Sequence, residues 1–174
     1  MMRRFIAVLV MGLLSLGGCG YTTGSLLPAN YHTISIEPFS NKVGYLNGNV
    51  RGLYIPLLEN KTNDAVVSRF QIDGHLKVAK SQNADLVLKG DLIGFDREDV
   101  RLNDNQGVDE YRVRVTVSLK LLDAAGTEEW SEPSFSGEAT YFTSGPQAKP
   151  ESAALEDALT DLSRRIVERT IENW

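Results

Sequence analysis

The chain has 174 residues, 23 acidic against 18 basic, a net charge of −5 and one cysteine. That balance excludes the basic footprint of a general nucleic-acid binder. A lone cysteine excludes an intramolecular disulfide and argues against a cysteine-based zinc site.

Arg3 and Arg4 open the chain with positive charge. Phe5 to Leu16 (FIAVLVMGLLSL) is an apolar run, and Gly17 and Gly18 are small residues before Cys19. This is the pattern of a signal peptide. The run is too short to span a hydrocarbon core, which takes roughly 20 residues. Residues 1–18 are therefore read as a signal peptide and set aside. Leu16-Gly17-Gly18-Cys19 resembles the bacterial lipobox, in which the cysteine sulfur takes a diacylglycerol, the peptide is cut before it and the new amine is acylated. An ordinary secretory signal followed by a chance cysteine is the other origin of such a stretch. Charge, apolar length, small residues and cysteine fall in register and favour the lipobox. One acyl chain anchors weakly and two or more anchor stably; the lipobox resemblance implies three. Gly20, not Asp, follows the cysteine, which in the enteric sorting rule directs a lipoprotein to the outer membrane. Removing the first 18 of 174 residues leaves 156 and moves the net charge from −5 to −7. That length suits one domain with a real core and is short for two. No second apolar stretch is long enough to cross a bilayer, so the lipid is expected to be the whole attachment.

Residues 19–32 read as the lipidated tether, since Gly20 to Tyr31 mixes Gly, Thr, Ser, Pro and Asn. Thr33 to Phe39 (TISIEPF) alternates Ile34 and Ile36 with Ser35 and Glu37, a strand with one buried face that Pro38 ends or places at an edge. Ser40 to Gly52 is rich in Asn and Gly and reads as a loop, with Tyr45, Leu46 and Val50 folding back. Tyr54 to Phe70 is a helical stretch with Pro56 in its first turn and Leu58, Ala65, Val66 and Phe70 on one face. Asn60 to Asn63 weakens it. Asp73-Gly74 is a turn signal, and His75 to Ala79 is a short strand after it.

Ala84 to Phe95 is a strand with apolar residues on both parities, hence central; Gly90 and Gly94 mark a bulge or bend. Asp96 to Asp109 reads as a charged linker turning at 104–107. Glu110 to Asp123 is the clearest strand. Tyr111, Val113, Val115, Val117, Leu119 and Leu121 form one face, and Arg112, Arg114, Thr116, Ser118 and Lys120 the other. Residues 124–127 close a hairpin, and Glu128 to Phe142 returns as a further strand carrying Trp130, Phe135, Ala139 and Tyr141. Pro133 favours an edge or bulge. After a loop at 143–150, Glu151 to Trp174 is an amphipathic helix, with Leu155, Leu159, Leu162, Ile166, Thr170 and Trp174 on the 3.6 period. Early acids and later arginines suit its dipole. The fold class that follows is α+β: one domain over 33–174, a mixed or antiparallel sheet of about four to five strands, and two helices packed on one face.

Little in the chain points to catalysis. His32 and His75 stand in no metal-spacing motif, and no nucleophile elbow, phosphate loop or His-Glu-x-x-His is present. The acids of 96–110 do not have calcium-loop spacing. No cofactor and no metal are expected. One constellation stands out. Arg112, Arg114 and Lys120 share a parity, and Lys89 lies on a neighbouring strand. In an acidic protein such a stripe could meet phosphate or carboxylate groups. An ordinary solvated face of a one-sided sheet is the commoner origin of such a stripe.

Four features, in order along the mature chain, resemble the lipopolysaccharide-assembly LptE family. They are the lipobox running into Gly20-Tyr21; Ile34 to Asn41 (ISIEPFSN); Ala84 to Gly90 (ADLVLKG); and Tyr111 to Asp123 followed by Trp130 and the C-terminal helix. The match departs after Asn41, where Lys42-Val43 leads into a Gly/Asn-rich insertion; Asn60-Lys61-Thr62 is read as the displaced family element. The resemblance implies a non-enzymatic outer-membrane lipoprotein facing the periplasm. It would plug the lumen of the β-barrel LptD, help that barrel fold and bind lipopolysaccharide. A second class stays open, an outer-membrane lipoprotein that activates a peptidoglycan synthase or serves another envelope machine, since such proteins share the Ala-Asp-x-x-Leu-x-Gly strand. A periplasmic enzyme would need a pocket of convergent polar groups, for which the sequence offers no set.

Overall fold

A computed structural model describes residues 27–43 and 55–172. The signal segment, Cys19, most of the tether, the fold-back of Tyr45, Leu46 and Val50, and Trp174 lie outside these residues. The described elements are β1 (Thr33–Ile36), β2 (Ser40–Asn41), α1 (Leu58–Asp73), β3 (Lys77–Val78), β4 (Leu86–Leu102), β5 (Val108–Asp123), β6 (Glu128–Phe142) and α2 (Glu151–Glu172). The sheet runs β3-β1-β4-β5-β6, with β2 also pairing β4. β3, β1, β2 and β4 are parallel neighbours, while β4, β5 and β6 form an antiparallel meander. The fold is thus α+β with a mixed sheet of six strands. The strand beyond the expected four to five is β2, only two residues long.

The core lies between one sheet face and the two helices. The alternation on β5 sends Val113, Val115, Val117, Leu119 and Leu121 into it, and all are buried. α2 lays a broad apolar face against β5 and β6, with Leu155, Ala158, Leu159, Leu162, Ile166 and Val167 buried. α1 packs beside it through Leu58, Val66 and Phe70. Thr62 is the fourth buried residue of that face, and its hydroxyl is satisfied by the Leu58 carbonyl at 2.8 Å.

Boundaries moved for identifiable reasons. α1 starts at Leu58, not Tyr54. Pro56 precedes it, and Leu57 takes a left-handed backbone (φ 59°) as the N-terminal cap. Its end is at Asp73, because Gly74 (φ 79°) caps the helix and donates its N–H to Phe70 O at 3.1 Å. The Asp73-Gly74 signal is therefore a helix stop. Ser40–Asn41, expected in a loop, forms a short parallel bridge to Asp91 and Leu92. The expected charged linker is mostly strand. β4 runs on through Leu102, with Asp96 opposite Arg114 and Glu98 opposite Arg112. Residues 96–102 are exposed, so no apolar alternation marked them. The turn is fixed by Asn103, whose side-chain oxygen accepts the N–H groups of Asn105 and Gly107 at 3.0 and 2.8 Å.

Two glycines set the packing distances. A side chain at Gly90 would collide with the Phe39 ring, which covers that position. A side chain at Gly137 would strike the backbone of α2 at Ala158 and Leu162. The same helix and the segment just before it guard the β6 edge. Asp161 accepts the Glu138 N–H at 3.3 Å, Arg165 donates to the Ser136 carbonyl, and Lys149 N–H bonds Phe142 O at 3.2 Å. Such cover blunts an edge that would otherwise template another strand. At the far end Arg97 ties to Glu151 at 2.6 Å and stacks on Tyr111, while Tyr141 donates to Glu151 at 3.0 Å. Burial, then that bond to a carboxylate, pushes the Tyr141 phenol up to about 12.

Candidate interaction face

The sheet face away from the helices carries Lys89, Arg112, Arg114 and Lys120 together. Each has a carboxylate partner from another strand or from the segment after β1. Arg114 bridges Glu98 at 3.0 Å and Glu138 at 3.1 Å, and Arg112 approaches Glu138 at 3.8 Å. The Glu138 hydrogen bond, chiefly, raises the Arg114 pKa further above its ordinary value. Lys89 meets Glu37 at 3.3 Å, and Lys120 meets Glu128 at 3.4 Å. Glu128 is held below the usual carboxylate range, first by the Ser131 hydroxyl at 2.6 Å and then by Lys120.

The four do not form one bare stripe. Arg114 is held between two glutamates near the middle of β5, and Arg112 lies beside one of them. Lys89 and Lys120 stand directly opposite each other nearer the base. Both line a cleft of about 220 Å³ with Glu37, Ser40, Asp91 and Ser118. Like charges directly opposite on paired strands repel, and each lysine is drawn to its own glutamate. The face is an interleaved lattice of charges that can form exchangeable ion pairs. Sequence parity revealed the basic half of this lattice. The acidic half comes from other strands and needed the register.

The sequence motifs have structural explanations. In Ala84 to Gly90, the Asp85 carboxylate accepts the N–H groups of His32 and Thr33 at 2.9 Å each and the Thr33 hydroxyl at 2.8 Å. The His32 bond, above all, holds the Asp85 pKa below its ordinary value. Leu86 and Leu88 are core residues, and Gly90 leaves room for Phe39. This stretch and Ile34 to Asn41 thus fit each other across the β1–β4 pairing. His75 Nδ1 lies 2.7 Å from Asp73, in the turn that ends α1. Among the described residues no group of three or more His, Cys, Asp or Glu could hold a metal, and no helix is long and apolar enough to cross a membrane.

Cys19, the expected lipid site, lies outside the described residues, and the structure adds nothing to that expectation.

Comparison with solved structures shows how widely the fold recurs. The dodecamer of a PelC point variant from Paraburkholderia phytofirmans is similar at 17% identity, covering 86% of this chain and 96% of that one, with a TM-score of 0.52. Protein CT253 of Chlamydia trachomatis matches at 11% identity over 80% and 95%, with a TM-score of 0.58. Protein XCC0632 of Xanthomonas campestris matches at 19% identity over 85% and 90%, with a TM-score of 0.57. At these identities the likeness is one of fold. No curated protein sequence matches at a significant level. The family profile for LptE, described as lipopolysaccharide-assembly, matches residues 31–170, from just before β1 to the last turns of α2. The chain belongs to the LptE lipopolysaccharide-assembly family.

Proposed function

We propose that the protein is an outer-membrane lipoprotein, anchored through acylated Cys19, that plugs the LptD β-barrel, helps it assemble and works with it to deliver lipopolysaccharide to the outer leaflet. The observation that carries this reading is the family match across residues 31–170. The role is one of fit, not of bond chemistry.

The architecture suits such a plug. Barrel lumens are polar, and the apolar band of an outer-membrane barrel is about 25 Å tall. At the usual rise per residue, the 17-residue β4 extends over roughly 55 Å, enough to traverse that band. Two helices behind the sheet make it a stiff wedge. Its open face is polar and charge-balanced, so it can meet a polar wall by exchanging internal ion pairs for external ones. Lys89, Arg112, Arg114 and Lys120 are the groups proposed to meet glycolipid phosphates or acidic lumen residues. The lipid keeps the wedge close to its barrel and raises its effective concentration there.

The test is a mild-detergent pull-down of the acylated protein from native membranes, with partners identified by mass spectrometry. A stoichiometric large β-barrel partner is expected. Recovery with a cell-wall synthase instead would replace the plug by an activator. Recovery alone would remove the partnership.

A further inference from the structure

The positive charges of this domain are unevenly paired. All described lysines and arginines but three have a carboxylate within salt-bridge range. The exceptions are Arg69, Lys77 and Lys80, and they fall on one short stretch, from the end of α1 to the turn before β4. The Arg69 Nε is buried without a hydrogen-bond partner. Lys77 and Lys80 are exposed. The stretch contains a single acid, Asp73, which is already engaged by His75 at 2.7 Å. It also carries Ile72, which at 73% is the most exposed large apolar side chain among the described residues. An acidic protein thus carries its unpaired positive charge on the same twelve-residue stretch as its barest apolar residue.

The location of this stretch gives it meaning. Lys77 stands opposite Thr33 in the parallel β1–β3 pair, and its N–H donates to the His32 carbonyl at 2.9 Å. The corner therefore adjoins the point where the tether enters the fold. Leu27 and Tyr31 already pack on the core, and the Tyr31 hydroxyl donates to Glu129 at 2.5 Å. Cys19 is only eight residues upstream of Leu27. Eight residues reach at most about 28 Å, and about 16 Å as a flexible coil.

We propose that the corner formed by Arg69, Ile72, Lys77 and Lys80 docks on the anionic phospholipid headgroups of the bilayer that holds the lipid anchor. The inference rests on the lipid-anchor reading for the length of the tether. A basic patch with an apolar centre is the signature of an interfacial contact. Lysine and arginine side chains each contribute roughly fivefold in partition beside an anionic surface. The remaining domain is net acidic and is repelled by the same surface. Attraction at one corner and repulsion elsewhere select one orientation, with the β4–β5 turn at 103–107 directed away from the anchoring leaflet.

The experiment places the acylated protein in nanodiscs of phosphatidylcholine with or without phosphatidylglycerol. Acylation consumes Cys19, so an Ile72→Cys variant accepts a fluorophore at one position, and a Val100→Cys variant provides a control at the opposite end of β4. A headgroup spin label should quench the probe at position 72 far more than at position 100, and only in anionic discs. The difference should collapse with Lys77→Glu plus Lys80→Glu, which lowers partition by more than about 25-fold, and in salt high enough to screen the surface. Equal quenching at both positions would overturn the proposal. So would a difference indifferent to salt and to charge reversal; should the double variant melt early, the salt titration decides alone. Intact mass reads the anchor separately. An unacylated chain would refute the lipoprotein reading, and a probe confined to position 72 by Cys19→Ser would then report docking on added vesicles of the same lipids.

Discussion

Gly137 offers the sharpest test of how this wedge is held together. It stands on β6 opposite Val115, under the middle of α2. A methyl group added there would lie 2.5 Å from the Ala158 carbonyl oxygen and from the Leu162 Cα, and closer still to the Leu162 nitrogen. These are backbone atoms of a regular helix, so no rotamer change can relieve the contact. The helix would have to lift by about 1 Å. A gap of that size forfeits a quarter to a half of each dispersion well it opens, and α2 makes such contacts along several turns. Overpacking costs about 1–3 kcal/mol, and this site belongs at the upper end because backbone must move. For a domain of this size, about 3 kcal/mol lowers Tm by roughly 6–12 °C. Gly137→Ala should therefore unfold clearly earlier in urea and in thermal melts of the mature chain. Gly94→Ala is the control, since its methyl would meet Thr116 Cβ at an ordinary 3.4 Å. A Gly137→Ala variant as stable as Gly94→Ala would refute the claim that the glycine sets the helix–sheet distance.

Other perturbations separate strain from packing. Leu57 holds a left-handed backbone while 60% exposed, so Leu57→Gly should remove about 1–2 kcal/mol of strain and raise Tm by a few degrees. Asp85 has its folded pKa depressed by the amides and hydroxyl it accepts. A depressed carboxylate stabilises the fold above its unfolded value near 3.8 and loses that contribution as pH falls through the folded value. Asp85→Asn should accordingly flatten the acid limb of Tm against pH below about 4, and an unchanged limb would dismiss the linkage.

What the sequence made legible follows from how each element is solvated. β5 and α2 each set one face against the core and one against water, so their periods of 2 and 3.6 are written in the residues. β4 beyond Phe95 has no buried face, and its Asp, Glu and Arg residues read as a linker although they pair in register with β5. α1 buries Thr62 where an aliphatic residue would have advertised the face. The two-residue strand β2 is too short to carry any pattern, whereas β3 lies inside the short strand read over His75 to Ala79. The same logic divides the interaction face. Parity on one strand exposed the arginines and lysines. Their glutamates lie on other strands or, for Glu37, just after β1, and the pairings span bulges at Leu92/Gly94 and Val117/Leu119 that no single-strand pattern reveals.

Those glutamates decide how the face must be tested. Arg114 carries a charge fixed by Glu138 and Glu98, with its side chain 31% exposed. Arg114→Glu would set a third carboxylate beside these two. Exposed pairs are worth up to about 1 kcal/mol, and like charges on adjacent strands repel, so the loss should be roughly 1–2 kcal/mol. The domain would stay folded. Any loss of binding to lipopolysaccharide or to the barrel could still come from that local disturbance. Adding Glu138→Arg restores one ion pair of opposite polarity at the same place, while Arg112 and Glu98 then face like charges, so part of the stability should return. A structural arginine would recover its partner binding together with the stability. An arginine that itself contacts a phosphate or a carboxylate would not, because the positive charge has moved to β6. Binding that stays lost while Tm recovers assigns Arg114 to the partner interface, and binding that recovers in parallel reduces the lattice to a brace within the sheet.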